Sequence, residues 1–278
     1  MPEGDGSRLM TRFEEEDEGQ AQDLGPDADP GTRVEPYDSL ASIYDHVMRH
    51  VDYEHWARYV DDLLREIAGA PRELIELACG TGNATFTLAD LSYSIRGYDG
   101  CEAMIRVARE KSSEDGRGIP FDVRDLRDLH DVAPTQAVIC LYDSMNYLLE
   151  AADIDTALQQ VHGVLTTGGV FIFDVCTEQN SVVHFDGIVD IENGPGFHYT
   201  RRSDYHRGER LQVNSFDIEF EDGRRHQETH VQHIYPIDEL RARIQASPLQ
   251  LVAAHDGFSR RPGSERSDRV HFVVRRES

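Results

Sequence analysis

The chain has 278 residues, of which 52 are acidic and 28 basic, and its formal net charge is −24. This length can bury a full core as one large or two small domains, whereas the negative field disfavours nucleic acid and anionic lipid as partners. Lys111 is the only lysine. An excess of acidic residues with almost no lysine fits either a protein from a salt-loving organism or a GC-rich genome with one acidic tail.

The cysteines and the hydropathy pattern exclude further classes of protein. Cys79, Cys101, Cys140 and Cys176 form neither a C-x-x-C pair nor a Cys/His zinc spacing, so we expect reduced structural thiols. The first residues are polar and acidic, unlike a signal peptide, and no apolar run approaches the roughly 18 residues of a membrane span. We therefore predict a cytoplasmic protein without membrane contact, as a monomer or a dimer.

The acidic bias is strongest at the start of the chain. Residues 1–35 hold eleven acids against three arginines, with few large apolar side chains. Such a segment cannot bury enough surface to offset its ordering entropy, so we predict that it is disordered. Folded structure is expected to begin near residue 37, with amphipathic helices over residues 40–48 and 53–68.

Strands and helices then alternate along the chain. The pattern predicts strands at residues 94–98, 119–123, 137–141 and 170–175, helices at 84–91, 101–112 and 153–165, and a turn at 166–169. Strands that alternate with helices indicate right-handed crossovers and a doubly wound α/β fold with a mostly parallel sheet. The near-continuously apolar strands are typical of a sheet that is covered on both faces.

The pattern changes after residue 186. Segments rich in Tyr, Phe, Val and His, separated by hairpin signals, predict an antiparallel β insertion over residues 187–235. A helix at 237–246 and strands at 249–254 and 270–274 then complete the larger sheet. We therefore predict one domain formed by residues 36–186 and 236–278, with the insertion covering its active site.

A glycine turn follows the first strand of this alternating region. Residues 74–83 read Leu-Ile-Glu-Leu-Ala-Cys-Gly-Thr-Gly-Asn, and glycine is needed where backbone must approach a ligand. A dinucleotide site prefers a third glycine, but that position is Thr85. S-adenosylmethionine instead carries an ammonium group, which Glu76 can face. The pattern favours the sulfonium cofactor, although a Gly-x-Gly turn alone is a weak signal.

Two carboxylates follow the next two strands. Asp99 ends the second strand, where an acid can accept hydrogen bonds from ribose hydroxyls or can cap the following helix. Asp125 follows the third strand, where an adenine amino group could donate to it; the alternative is a surface loop acid. Together with Glu76, these positions outline a nucleoside site at one edge of the sheet.

The whole set resembles the class I S-adenosylmethionine-dependent methyltransferases, which implies their Rossmann-like fold with a seven-stranded sheet. Tyr-Asp-Ser-Leu-Ala-Ser-Ile-Tyr-Asp at residues 37–45 looks like the entry segment of bacterial small-molecule methyltransferases. Residues 141–148 are similar to their motif after strand four, and 165–169 to their loop before strand five. The chain is most similar to uncharacterised bacterial members in which a β-hairpin region, here carrying Glu228-Thr229-His230, follows strand five.

The resemblance implies roles for particular residues over roughly positions 37–276. Cys79 departs from the glycine that is frequent in the family, and Gly100-Cys101 departs from its small polar cap. The implied cofactor contacts are, for the methionine end, Glu76, Ala78, Gly80, Gly82, Tyr37 and Tyr44; for the ribose, Asp99; for the adenine, Asp125 and Leu126; and for the sulfonium, Tyr142 and Asp143.

Methyl transfer needs a base only when the acceptor must lose a proton. The candidate catalytic groups are Tyr147 and His230, with His233 and His184 as alternatives, and for each histidine a structural or surface role is the other interpretation. His226, His230 and His233 could suggest a metal, but residue 233 points to the opposite face of a strand from 226 and 230, so we predict no metal.

These observations predict an enzyme that transfers a methyl group from S-adenosylmethionine to a nitrogen or oxygen of a small molecule by in-line displacement. Neither Pro-Pro nor Pro-Cys, the dipeptide cores of nucleic-acid methyltransferase motifs, occurs in the chain. The alternatives are an RNA or protein methyltransferase, a non-catalytic S-adenosylmethionine-binding protein, and a dehydrogenase.

Overall fold

The computed structural model describes residues 31–69 and 71–277, so most of the predicted acidic tail lies outside the described residues. Two residues of this tail that the structure does describe, Thr32–Arg33, form a short strand, β1, which pairs in parallel with His226 and Gln227. The prediction that residues 1–35 are disordered is therefore wrong for Thr32 and Arg33. These residues are ordered because they satisfy backbone groups of a strand that would otherwise end the sheet.

The remaining elements follow in chain order and are named by their bounds. The helices are α1 (Tyr44–Val47), α2 (Tyr53–Ala68), α3 (Asn83–Asp90), α4 (Glu102–Glu114), α5 (Ala151–Val164), α6 (Glu178–His184) and α7 (Ile237–Ala246). The strands are β2 (Glu73–Leu77), β3 (Ser94–Asp99), β4 (Phe121–Val123), β5 (Thr135–Cys140), β6 (Leu165–Cys176), β7 (Ile188–Gly194), β8 (Phe197–His206), β9 (Leu211–Phe220), β10 (Arg225–His233), β11 (Leu249–Asp256) and β12 (Arg269–Arg276).

Seven strands form the larger sheet, in the order β11-β12-β6-β5-β2-β3-β4. The strands from β2 to β6 are parallel, and β12 is antiparallel to both of its neighbours. The predicted doubly wound, mostly parallel fold is therefore confirmed. The chain proceeds outward in one direction from β2 and in the other from β5, and ligands bind in the crevice that this reversal leaves at the carboxyl ends of the strands.

The apolar strand β6 separates two hydrophobic cores. Phe171 and Phe173 face the core that α5 and α7 cover, whereas Val170 and Ile172 face the core that α2 and α3 cover. Alternate side chains of a strand point to opposite faces, so a continuous apolar run is needed when both faces are buried. Among the described residues, no helix is both long and apolar enough to span a membrane.

The second sheet has the order β1-β10-β9-β8-β7 and is antiparallel except for the pairing of β1. On one of its faces, Tyr199, Phe216 and Ile218 pack against Leu40 and Ile43. The buried side chains of β10 on this side are polar and point to the larger domain: Glu228, His230 and Gln232. This sheet is thus fixed to the N-terminal segment by an apolar cluster and a polar row.

Two predicted elements differ from the structure. Residues 40–48 do not form one helix but a 3₁₀ turn, Leu40–Ser42, followed by α1, because Ile43 leaves helical geometry at φ −118°. The predicted turn at 166–169 lies inside β6 as an irregularity, across which Leu165 pairs with Thr135 and Val170 pairs with Ala137. In both places tertiary pairing overrides the local sequence pattern.

The close packing at Gly97 on β3 gives a stability prediction. A Cβ at Gly97 would lie 2.5 Å from ring atoms of Phe121 and 2.9 Å from the Cys79 sulfur, so Gly97→Ala should lower the free energy of unfolding by about 1–3 kcal/mol. Gly163, within α5, has no atom within 4 Å of such a Cβ. Gly163→Ala should therefore stabilise by about 0.5–1 kcal/mol. Urea unfolding measures the free energy of unfolding of both variants. If Gly97→Ala and Gly163→Ala changed it equally, the close packing at Gly97 would be contradicted.

Candidate functional site

A cavity of about 310 Å³ lies at the carboxyl ends of β2, β3 and β5. The glycine turn after β2, acidic and apolar side chains of the strand ends and of α4, and several tyrosines border it. Tyr37 and Tyr147, whose hydroxyls lie 2.5 Å apart, form the part that is called the tyrosine side here. The bordering residues include Glu76, Ala78, Gly80, Asp99, Met104, Asp125, Leu126, Tyr37, Tyr44, Tyr53, Tyr142 and Tyr147.

Positive φ angles shape the glycine turn. Ala78, Gly80 and Gly82 have φ of 52°, 55° and 84°, a region that favours glycine. Gly82 directly precedes α3 and does not border the cavity; it has no room for a side chain because a Cβ would lie 2.8 Å from the Phe121 ring. Gly80 borders the cavity and brings backbone without a side chain to it.

Glu76 is a buried carboxyl on the cavity wall, with 3 % of its surface exposed. The Thr85 hydroxyl donates to it, and among the described residues no basic side chain pairs with it. Burial raises the pKa of Glu76 to about 8, the Thr85 hydrogen bond opposes this shift, and Asp99 adds to it. A cationic ligand group would favour its ionised form. Thr85 is thus the partner of Glu76, a role that the sequence analysis missed.

Asp99 braces the turn from the end of β3. One carboxylate oxygen accepts the Gly80 N–H at 2.8 Å and the other accepts the Cys101 N–H at 2.8 Å. Burial raises the pKa of Asp99, and these two bonds oppose the shift. Cys101, not Asp99, is the N-cap residue of α4. Each oxygen keeps further acceptor capacity, so the ribose assignment stays a prediction that the geometry permits.

Asp125 and Leu126 also border the cavity, but Asp125 has a partner that the sequence analysis missed. The Arg127 side chain donates to both of its oxygens, at 2.9 and 2.7 Å. These hydrogen bonds hold the pKa of Asp125 below its usual value. An adenine amino group would therefore meet a carboxylate that is already paired, and the adenine assignment stays a prediction.

Tyr142 and Asp143 have φ of 61° and 51°, in the left-handed region that side chains rarely adopt. Tyr142 borders the cavity and stacks on Trp56, with ring centroids 4.2 Å apart. The Asp143 carboxylate instead accepts from Arg269 at 2.7 Å and from Gln232 at 2.6 Å. Asp143 thus ties the end of β5 to β10 and β12, and its backbone turn places Tyr142 at the site.

The four candidate bases do not lie together. The Tyr147 hydroxyl lies 2.5 Å from the Tyr37 hydroxyl and 3.4 Å from Nδ1 of His230. His233 on the opposite face of β10 contacts the Leu149 carbonyl oxygen at 2.8 Å, and the exposed His184 lies 3.7 Å from Asp268. The structure therefore brings Tyr147 and His230 together and separates the other two from the cavity.

Two further predictions concern the cysteines, which were expected to be reduced, and metal binding, which was not expected. All four cysteines are free, and only Cys101 is not buried. Within residues 31–69 and 71–277, no three His, Cys, Asp or Glu side chains are grouped so that they could hold a metal ion.

The residues around the cavity fit S-adenosylmethionine. The buried Glu76 carboxyl has no cationic partner among the described residues, which suits an ammonium group. Gly80 borders the cavity with no side chain between its backbone and a ligand. Asp99 can accept from hydroxyl groups, and Met104 and Leu126 offer apolar surface to a flat ring.

Comparison with known proteins agrees with this fit. Residues 74–169 match the family model described as methyltransferase domain. The chain is 26% identical over 244 residues to "Putative methyltransferase YqeM" of Bacillus subtilis, a match that covers 86% of this chain and 97% of the relative.

Two solved structures share the fold. An S-adenosylmethionine-dependent methyltransferase from Clostridium acetobutylicum superimposes with a TM-score of 0.75 at 22% identity, covering 87% of this chain and 99% of that one. The sugar N-methyltransferase KedS8 from Streptoalloteichus gives a TM-score of 0.71 at 22% identity, covering 93% and 100%. These two structures confirm the predicted fold, and the family match together with the Bacillus relative supports the predicted methyltransferase class.

The raised pKa of Glu76 predicts that cofactor binding releases a proton. In the free protein Glu76 is protonated below about pH 8, and a bound ammonium group lowers that pKa, so S-adenosylhomocysteine should displace up to one proton at about pH 6.5. Glu76→Gln should bind more weakly and release none. Calorimetry in two buffers of different ionisation enthalpy measures the proton count.

The matched control is Glu73→Gln, because Glu73 lies on the same strand and is exposed to solvent. This variant should bind and release a proton like the parent protein. Proton release that persists in Glu76→Gln would refute the assignment of Glu76 to the ammonium group.

Proposed function

We propose that this chain, which is a class I S-adenosylmethionine-dependent methyltransferase, transfers the methyl group to a nitrogen or oxygen atom of a small molecule. One observation carries the proposal. Glu76, Gly80 and Asp99, which are assigned to the cofactor, border the same cavity as the tyrosine pair Tyr37 and Tyr147. An acceptor at the tyrosine side would therefore lie next to the bound cofactor.

The chain's contribution to catalysis is to align the reactants and to exclude water. Bound S-adenosylmethionine supplies an activated methyl group on a positively charged sulfur. Holding an acceptor in line with such a group can contribute about 7–11 kcal/mol through proximity and orientation. The tyrosine side of the cavity, formed in part by the half-buried Tyr37 and Tyr147, suits this role because its aromatic rings keep water from the reacting atoms.

We assign the cofactor contacts within this proposal by position on the cavity wall. Glu76 faces the ammonium group, Asp99 the ribose hydroxyls, and Asp125 with Leu126 the adenine. The further residues proposed to contact the methionine end or the sulfur are Ala78, Gly80, Tyr37, Tyr44 and Tyr142. Gly82, which was expected to contact the methionine end, does not border the cavity and is assigned to the shape of the turn. Asp143 acts through the backbone turn that positions Tyr142, since its carboxylate pairs with Arg269.

Two features support a small acceptor. The net charge of −24 opposes the approach of a polyanion. KedS8, which shares the fold, is a sugar N-methyltransferase. Residues 187–235 would then act as the cover of the catalytic domain, because Glu228 holds the segment that carries Tyr37.

Acceptor screening tests this proposal. The protein should form S-adenosylhomocysteine with small amines or hydroxyl compounds, amino sugars included, and should not methylate bulk RNA or denatured protein. Asp99→Ala, which loses the brace of the glycine turn, supplies the background rate. Methylation of RNA or protein alone would contradict the proposal. If the protein binds the cofactor but methylates no class of acceptor, it is instead a cofactor-binding protein without catalytic activity.

A further inference from the structure

A buried carboxylate–imidazole pair lies behind the tyrosine side of the cavity. The Glu228 side chain is fully buried, and it accepts the backbone N–H groups of Tyr37 at 2.8 Å, Ser39 at 2.6 Å and Leu40 at 2.8 Å. Its fourth contact is Nε2 of His230 at 3.1 Å. Glu228 therefore meets donors on every side, which is the environment of an ionised carboxylate.

These contacts determine the tautomer of His230. Nε2 faces an acceptor that already receives three N–H donors, so Nε2 must carry a hydrogen. In a neutral imidazole the other nitrogen, Nδ1, is then an acceptor. The group that faces Nδ1 is the Tyr147 hydroxyl at 3.4 Å, so Tyr147 donates to His230. This distance is longer than a tight hydrogen bond, as is frequent in catalytic sites without substrate.

The same chain of donors continues into the cavity. Because the Tyr147 proton points to His230, the Tyr37 hydroxyl donates to the Tyr147 oxygen over 2.5 Å. Tyr37 and Tyr147 both border the cavity, whereas His230 is 2 % exposed and does not border it. The oxygen of Tyr37 is thus the end of the chain that can receive a proton from a bound molecule.

We propose that Tyr37, Tyr147, His230 and Glu228 form a relay that removes the proton from the methyl acceptor. This inference rests on the proposed function. The acceptor gives its proton to the tyrosine pair, and Tyr147 passes its own proton to Nδ1 of His230. The acceptor atom forms a bond to the methyl carbon while the carbon–sulfur bond breaks and leaves its electron pair on sulfur. The resulting imidazolium is paired with the Glu228 carboxylate.

The surroundings favour a charge on His230 rather than on the tyrosines. Burial raises the pKa of both Tyr37 and Tyr147 above the usual value, so each stays a neutral hydroxyl that can pass a proton. The His230 ring packs against Phe216 and lies opposite Asn214 on β9. The charged or titratable groups that face this cluster from other elements are Arg201, Asp143 and Cys176, which act on Tyr147, and Tyr44, which acts on Tyr37.

A purely structural role explains only half of this arrangement. Anchoring of the segment around residue 39 accounts for the three backbone bonds to Glu228. It does not account for an imidazole whose free nitrogen faces a cavity tyrosine. Tyr37 is therefore the catalytic residue that meets the acceptor, and Tyr147, His230 and Glu228 act through it.

The relay narrows the class of acceptor. A hydroxyl or a protonated amine must lose a proton for methylation, and a relay that accepts it contributes typically 10²–10⁴-fold in rate. A carboxylate is already deprotonated near neutral pH and needs no base. We therefore assign the acceptor to the amines and hydroxyl compounds and not to the carboxylates.

The kinetic test compares His230→Gln with the control His226→Gln. His226 lies on the same face of β10 as His230, four residues away, and borders no part of the cavity. In the parent protein and in His226→Gln, log kcat should fall with unit slope on the acid side as His230 takes up a proton. His230→Gln should lower kcat by about 10²-fold or more, lose that acid limb, and keep the affinity for S-adenosylhomocysteine.

A second measurement does not depend on turnover. In spectra of ¹⁵N-histidine-labelled protein, His230 should carry its proton on Nε2, and Tyr147→Phe should shift the Nδ1 resonance while the His226 signals stay in place. A proton on Nδ1 would overturn the relay, as would kcat and a pH profile unchanged in His230→Gln. If no acceptor of any class is methylated although the cofactor binds, the proposed function and the relay both fail.

Discussion

The buried carboxylate of Glu228 determines where the acceptor side of the cavity lies. It belongs to the inserted sheet, yet three of its four donors are backbone groups of the N-terminal segment. A fully buried charge is tolerated only where hydrogen bonds surround it, so the segment cannot leave without exposing an unsatisfied carboxylate. Tyr37 is held over the cavity as a result, against Tyr147. The insertion and the first folded residues thereby form one wall of the site, although nearly 200 residues separate them in the chain.

The cofactor side of the cavity is arranged around acids rather than hydroxyls. Glu76 is buried and Asp99 is half-buried, and the carboxylate of Asp99 adds to the cost of ionising Glu76. Asp99 accepts two backbone N–H groups, whereas Glu76 has one hydroxyl. A site of this kind is completed by a positively charged ligand. The electrostatics of the cofactor wall therefore agree with the family to which the chain is matched.

Much of this molecule could be predicted from its sequence, because the relevant signals are local. Periodicity identified α2 and α7 at their observed bounds, and the spacing from Gly80 to Asp99 placed both at one strand edge. Long-range partners could not be predicted in this way. The contacts of Arg269 with Asp143 and of Glu228 with residues 37–40 depend on the fold. The direction of the Asp143 carboxylate also depends on a left-handed backbone conformation at this residue, which the local sequence did not predict.

The central claim is that one cavity holds the cofactor and the acceptor side by side, with the tyrosine pair next to the reacting sulfur. A crystal structure of the protein with S-adenosylhomocysteine bound tests it most directly. The account predicts that the ammonium group lies beside Glu76, that the ribose hydroxyls contact Asp99, and that the sulfur faces open space bordered by Tyr37 and Tyr147. A sulfur atom that faces away from the tyrosine pair, with no space beside it for an acceptor, would contradict the account.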